Sequence, residues 1–70
     1  MLKVGDQVTV SFDLAEKCPF LKHAPVTCTG TVKSVNGPTV RVYVDAKYGG
    51  TEYIGPVDVP KFNVTPKAPK

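Results

Sequence analysis

Chemistry in this chain would have to start from Cys18, His23 and Cys28, spaced Cys-x4-His-x4-Cys, and from Arg41 with its neighbouring tyrosines. Structural zinc takes four ligands, usually with a close Cys pair among them, and no fourth ligand stands near these three. Nucleophilic catalysis needs a base and a group that orients it. Cys18 and His23 are the one candidate nucleophile–base pair, and the sequence identifies no partner to hold the imidazole. Asp6, Asp13, Glu16, Asp45, Glu52 and Asp58 are scattered through turns and strand ends, where carboxylates are solvated. Gly49-Gly50 lacks the Lys and Ser/Thr that follow in a phosphate-cradling loop. The expectation is no catalytic residue, no metal and no cofactor. A Cys18–Cys28 disulfide is within reach across the loop, but a reducing cytosol opposes it.

The remaining chemistry is recognition. Exposed tyrosine beside arginine suits a protein hot spot or a base-stacking platform. Tyr43 is expected on the wet face of its strand beside Arg41, because Val42 and Val44 point inward; Tyr48 falls in a turn, and Tyr53 faces outward if Ile54 is buried. The residues expected to meet a partner are Arg41, Tyr43, Tyr48, Tyr53, Lys33, Phe20 and Lys22, with His23 beside the last two. The opposing reading is that Tyr43 only packs across the sheet on Thr31 or Lys33.

The elements that must position these residues are strands. Thr27 to Asp45 reads as two strands joined by a connection, with Thr27, Thr29, Thr31 and Lys33 alternating with Cys28, Gly30 and Val32 on the first limb. Val40, Val42 and Val44 then alternate with Thr39, Arg41, Tyr43 and Asp45. Period two with β-branched residues marks strands with one buried face. Gln7 to Phe12 reads the same way, after a turn at Lys3 to Asp6. Asn36-Gly37 resembles a tight hairpin centre, but Pro38 would then sit where a backbone N–H must close the turn. The expectation is a longer loop over Asn36 to Thr39. Asp13 to Pro25 is an irregular excursion in which Asp13 could N-cap a helical turn through Ala15-Glu16-Lys17, with Phe20 and Leu21 folding back on the core. Further on, a turn over Ala46 to Gly50, a short strand Thr51 to Ile54, a one-turn corner over Gly55 to Pro60 and a last strand Phe62 to Thr65 are expected. The predicted core is Val8, Val10, Phe12, Val32, Val40, Val42, Val44, Ile54, Phe62 and Val64, with Cys28 on the same face.

That order of elements resembles the SH3-like small barrels. Within them the chain looks most like the KOW-type barrels of ribosomal and transcription proteins, on Val4-Gly5-Asp6-Gln7-Val8-Thr9-Val10 and Gly30-Thr31-Val32-Lys33-Ser34-Val35. These stretches cover under half of the chain, and Asp13 to Pro25 replaces the shorter glycine-containing link of that motif. The resemblance implies an all-β, SH3-like five-stranded small barrel, with a long loop after strand 1 and a 3-10 turn before the last strand. It also implies RNA or DNA contact through Lys33, Arg41 and Lys47. Ile54-Gly55-Pro56-Val57 is faintly similar to a corner of the type II dihydrofolate reductases, which build one pore from four subunits, but the Gln and Tyr of their pore run are unmatched.

Size and charge bound the rest. Seventy residues make one small domain, expected as a barrel over 1–65 and a flexible tail over 66–70. Such a chain buries only about 60% of its unfolded surface, which leaves little room for a deep pocket. The net charge is +3, yet without Lys67 and Lys70 seven basic residues face six acidic ones, and no basic stripe forms. No apolar run approaches the roughly 20 residues that cross a membrane. Met1 leading directly into strand-like sequence suggests an intact cytoplasmic start. The functional expectation is a non-catalytic interaction module that docks onto a protein or nucleoprotein complex, as a small accessory or modulator of the kind phages and plasmids encode. Direct RNA or DNA binding is the alternative, and a homo-oligomeric enzyme the third class.

Overall fold

The computed structural model describes residues 2–67. Five antiparallel strands, β1 (Gln7–Asp13), β2 (Pro25–Asn36), β3 (Thr39–Tyr48), β4 (Thr51–Pro60) and β5 (Val64–Pro66), form one sheet in the order β4-β3-β2-β1-β5. Among the described residues there is no α-helix; single 3-10 turns at Leu14–Glu16 and Lys61–Asn63 precede β2 and β5. The edge strands β4 and β5 do not pair with each other, so the sheet is not closed.

The alternation of the sequence becomes the two faces of the sheet. Val8 and Val10 of β1, Val32 of β2, Val40, Val42, Val44 and Ala46 of β3, Val57 and Val59 of β4 and Val64 of β5 are all buried. Leu14, Cys18 and Ala24 join them from the β1–β2 loop. Gly30 lies under this core, opposite Val44 of β3. A methyl placed there would meet Val42 Cγ1 at 2.5 Å and the Tyr43 carbonyl at 2.8 Å. At Lys33 a bulge shifts the β2–β3 register, between Val32↔Val42 and Ser34↔Arg41.

Several expectations are corrected. The β2–β3 connection is two residues long, since Asn36 pairs with Thr39 across Gly37-Pro38. Gly37 supplies φ +63° as the first central residue, and proline is suited to the second because its φ is fixed negative there. Pro38 thus excludes Asn36-Gly37 as the centre and moves the turn along by one residue.

β4 does not stop at Ile54; it runs through Gly55-Pro56 to Pro60 in unbroken register with β3. The expected corner there is strand, and the 3-10 turn comes after it. With Gly55, Val57 and Val59 inward, Ile54 is forced outward and is 57% exposed. Phe62, on the 3-10 turn, is exposed as well, and Phe12 is only half-buried. Phe20 does not fold back on the core, although Leu21 packs against it in part. Pro66, expected in the tail, closes β5 opposite Val8, and Lys67 N–H donates to the Gln7 carbonyl. Residues 68–70 of the expected tail lie outside the described residues.

Candidate functional site

The outer faces of β2, β3 and β4 carry the side chains left over once the valines point inward. Cross-strand register places Arg41 opposite Asp58, Tyr43 opposite Pro56, Asp45 opposite Ile54 and Lys47 opposite Glu52. From β2, Thr31 lies opposite Tyr43 and Ser34 opposite Arg41. The bulge residue Lys33 puts its ammonium 5.5 Å from the Tyr43 ring centroid, a cation–π distance. Lys33, Arg41 and Tyr43 are therefore brought together, as their types and spacing suggest. Ile54 and Pro56 complete the surface; they escape sequence reasoning because Gly55-Pro56 reads as a turn.

Arg41 is engaged. Its Nε and Nη2 donate to Asp58 Oδ1 at 2.8 Å and Oδ2 at 3.2 Å, a two-point fork. Hydrogen bonding from Arg41 holds the Asp58 carboxyl below its ordinary value, with Lys17 adding to the effect, and raises the guanidinium in turn. The fork fixes the plane of the guanidinium at the open end of the face. There Ser34, Asn36, Thr39, Arg41 and Asp58 line a hollow of about 130 Å³.

The other two tyrosines do not join this face. Tyr53 is on the inner side of β4, half-buried against the core, and its ring lies over Gly55. Its hydroxyl donates to the Pro56 carbonyl at 2.8 Å. Pro56 has no N–H, so within an unbroken ladder its nitrogen must face away from β3. By period two, the backbone groups of Ile54, Pro56, Asp58 and Pro60 line the free edge of β4. Two prolines remove donors there and Tyr53 occupies a carbonyl. The edge is thereby blunted against strand addition. Tyr48 shares the parity of Tyr53 and sits at the hairpin tip, exposed.

Phe20, Lys22 and His23 stand on the β1–β2 loop, all exposed. One carboxylate organises that loop. Asp13 Oδ1 accepts from Ala15 N at 3.0 Å and Ala24 N at 2.9 Å, and Oδ2 lies 3.0 Å from His23 Nδ1. Asp13 does N-cap the first 3-10 turn, as its type predicts, and it also ties that turn to the far end of the loop. The backbone hydrogen bonds from Ala24, then Ala15, hold its carboxyl below the ordinary value, with His23 contributing less.

His23 thus has an orienting carboxylate, which the sequence does not reveal. Cys18, the candidate nucleophile, is buried, and among the described residues no hydrogen bond joins it to His23. Burial pushes the Cys28 thiol up, and Asp45 adds to this, so its reactive thiolate is disfavoured. Both cysteines are free. Among the described residues no three His, Cys, Asp or Glu side chains are placed to hold a metal ion, and no helix is long and apolar enough to cross a membrane. Set against known proteins, the chain matches no family model, no curated protein and no solved structure.

Proposed function

We propose that this protein is a non-catalytic interaction module which docks, through the outer face of β3 and β4, onto a protein partner or the protein component of a nucleoprotein complex in the cytoplasm. The observation that carries the reading is Ile54. A β-branched aliphatic, 57% exposed, stands on a strand face beside Pro56 and diagonal to the exposed ring of Tyr43. Charged pairs at either end, Arg41–Asp58 and Lys47–Glu52, frame this apolar centre and leave it near neutral. An apolar centre with an aromatic anchor inside a charged rim is the anatomy of a protein-binding patch. Tyr53 and Tyr48 are left out of the surface, and Phe20 and Lys22 belong to a separate loop.

An SH3-like small barrel of KOW type is the architecture in this proposal. The strand order, the long β1–β2 connection and the single 3-10 turn before β5 support it. Direct RNA or DNA binding is a second reading, favoured by the ammonium of Lys33 over Tyr43; it predicts affinity that falls steeply with salt.

Affinity capture from a host lysate, with and without nuclease, tests the docking reading. Capture of a discrete partner by the wild type that survives nuclease and is lost in Ile54→Asp and in Tyr43→Ala is the expected result. Capture unchanged in both variants overturns the proposed face. Capture abolished by nuclease moves the assignment to nucleic acid.

A further inference from the structure

We propose that the hollow at the open end of the outer face is an oxyanion subsite that takes a phosphate group. It adjoins the Arg41–Asp58 rim of the Tyr43–Ile54 patch and does not rest on the docking reading. Its floor comes from three strands: Ser34 and Asn36 of β2, Thr39 and Arg41 of β3, and Asp58 of β4. Four of these five side chains carry donors. The hydroxyls of Ser34 and Thr39 and the carboxamide of Asn36 are hydrogen-bonded to no other described residue.

Arg41 has five N–H donors and spends two on Asp58, which leaves three on a guanidinium oriented by the fork. The hollow, about 130 Å³, is large enough to admit a small tetrahedral anion.

Charge at the margin favours an anion. Lys33 adjoins Ser34 and projects onto the same face, over Tyr43. Lys61 follows Pro60, the register partner of Thr39, and its N–H binds the Pro38 carbonyl. Arg41 and Asp58 are the two charged residues that line the hollow itself. A metal cation or an amine would meet the guanidinium of Arg41, whose three remaining donors call for an acceptor-rich group. Asp58 has a divided part: it fixes Arg41 in place and repels an incoming anion. That division gives the site a diagnostic response.

The test is a titration of the 15N-labelled protein with inorganic phosphate at constant ionic strength, chloride replacing phosphate in the control, followed by NMR at the backbone amides and the Arg41 Nε–H. Saturable shifts at Ser34, Asn36, Thr39 and Arg41, absent with chloride, are expected. The isosteric Asp58→Asn variant should bind phosphate about five-fold more tightly, because one repulsive charge is removed. Ser34→Ala with Thr39→Val should weaken it about ten-fold while the amide spectrum stays folded. A linear response equal to that of chloride overturns the site, and so does phosphate binding unchanged by Ser34→Ala with Thr39→Val. Adenosine monophosphate distinguishes two sources of the anion. Tighter binding than phosphate, with shifts reaching Tyr43, supports a nucleotide phosphate seated beside a stacked base. Equal affinity supports recognition of the phosphate group alone.

Discussion

β3 and β4 have two faces that differ in everything except their backbone. Inward, Val40, Val42, Val44 and Ala46 meet Gly55, Val57 and Val59 with almost no exposure. Outward, one residue along in each case, Arg41, Tyr43, Asp45 and Lys47 meet Asp58, Pro56, Ile54 and Glu52, all exposed. A change on the inner face must be absorbed by a close-packed interior, whereas one on the outer face is absorbed by water. Stability should thus track the inner face and recognition the outer, and the division can be tested residue by residue.

The largest expected effect is at Gly30, where the inner face is tightest. Gly30→Ala places a methyl within 2.5 Å of Val42 Cγ1 and 2.8 Å of the Tyr43 carbonyl. Overpacking of this kind costs about 1–3 kcal/mol, and the backbone contact puts Gly30→Ala at about 3. In a domain of this size each kcal/mol moves Tm by about 4–8 °C. Val42→Ala alone leaves a cavity and should cost about 2 kcal/mol. Combined, the two should cost less than their sum, because the shortened Val42 makes room for the new methyl. Strict additivity in thermal or urea unfolding would show that Gly30 is not held by this contact.

Next in size is Tyr53, which links the inner face to the edge. Tyr53→Phe keeps the ring over Gly55 and removes only the hydroxyl that donates to Pro56. The loss should be about 1 kcal/mol in urea unfolding. Tyr53→Ala uncovers Gly55 and frees the carbonyl on the β4 edge, so concentration-dependent association should appear in sedimentation. A monomer at every concentration would count against an edge guarded by Tyr53.

How much of this was legible beforehand divides along the same line. Wherever β-branched residues alternate, the inner face could be read directly: Val8, Val10, Val32, Val40, Val42, Val44 and Val64 are all buried as expected. β4 was half hidden because Gly55-Pro56 carries the chemistry of a turn. Proline is tolerated there only because β4 is an edge, and no single strand reveals its place in a sheet. Once that strand was cut short, Ile54 received the wrong face, and Val57 and Val59 were lost from the core. Phe62 stands in step with Val64 in the expected last strand, but the 3-10 turn Lys61–Asn63 takes it out of that strand. The Arg41–Tyr43 pair follows from the alternation of β3 alone, and Lys33 reaches it from the β2 bulge. The Arg41–Asp58 fork and the hollow beside it depend on a β3–β4 register that no local pattern fixes.

The β1–β2 loop offers a smaller, electrostatic test away from both faces. The native carboxyl of Asp13 is held below its unfolded value of about 3.9 by hydrogen bonds from Ala24 and Ala15. A depressed folded value means the carboxylate stabilises the fold at pH above the unfolded value. That contribution is lost as pH falls through the folded one. Stability should therefore decline from about pH 4 downward, and Asp13→Asn should flatten that part of the profile. A slope identical in the variant would mean that other carboxyls, Asp58 first among them, carry the acid response.

The smallest expected effect on folding is the sharpest test of the two-faced reading. Ile54 has an apolar side chain large enough for the core and stands where water already reaches it. Exposed positions away from caps, turns and ion pairs change stability by within about 0.5 kcal/mol, so Ile54→Ser should unfold within that margin of the wild type. Its outward position follows from Gly55, which must face inward beneath the Tyr53 ring, and from the unbroken register opposite Asp45. A loss of about 2 kcal/mol would place Ile54 in the core, as size and β-branching suggest, and would shift the β4 register by one residue. An unchanged midpoint in urea, with partner capture lost, separates the two roles within one strand: Val57 holds the sheet together, and Ile54 is left for something else to cover.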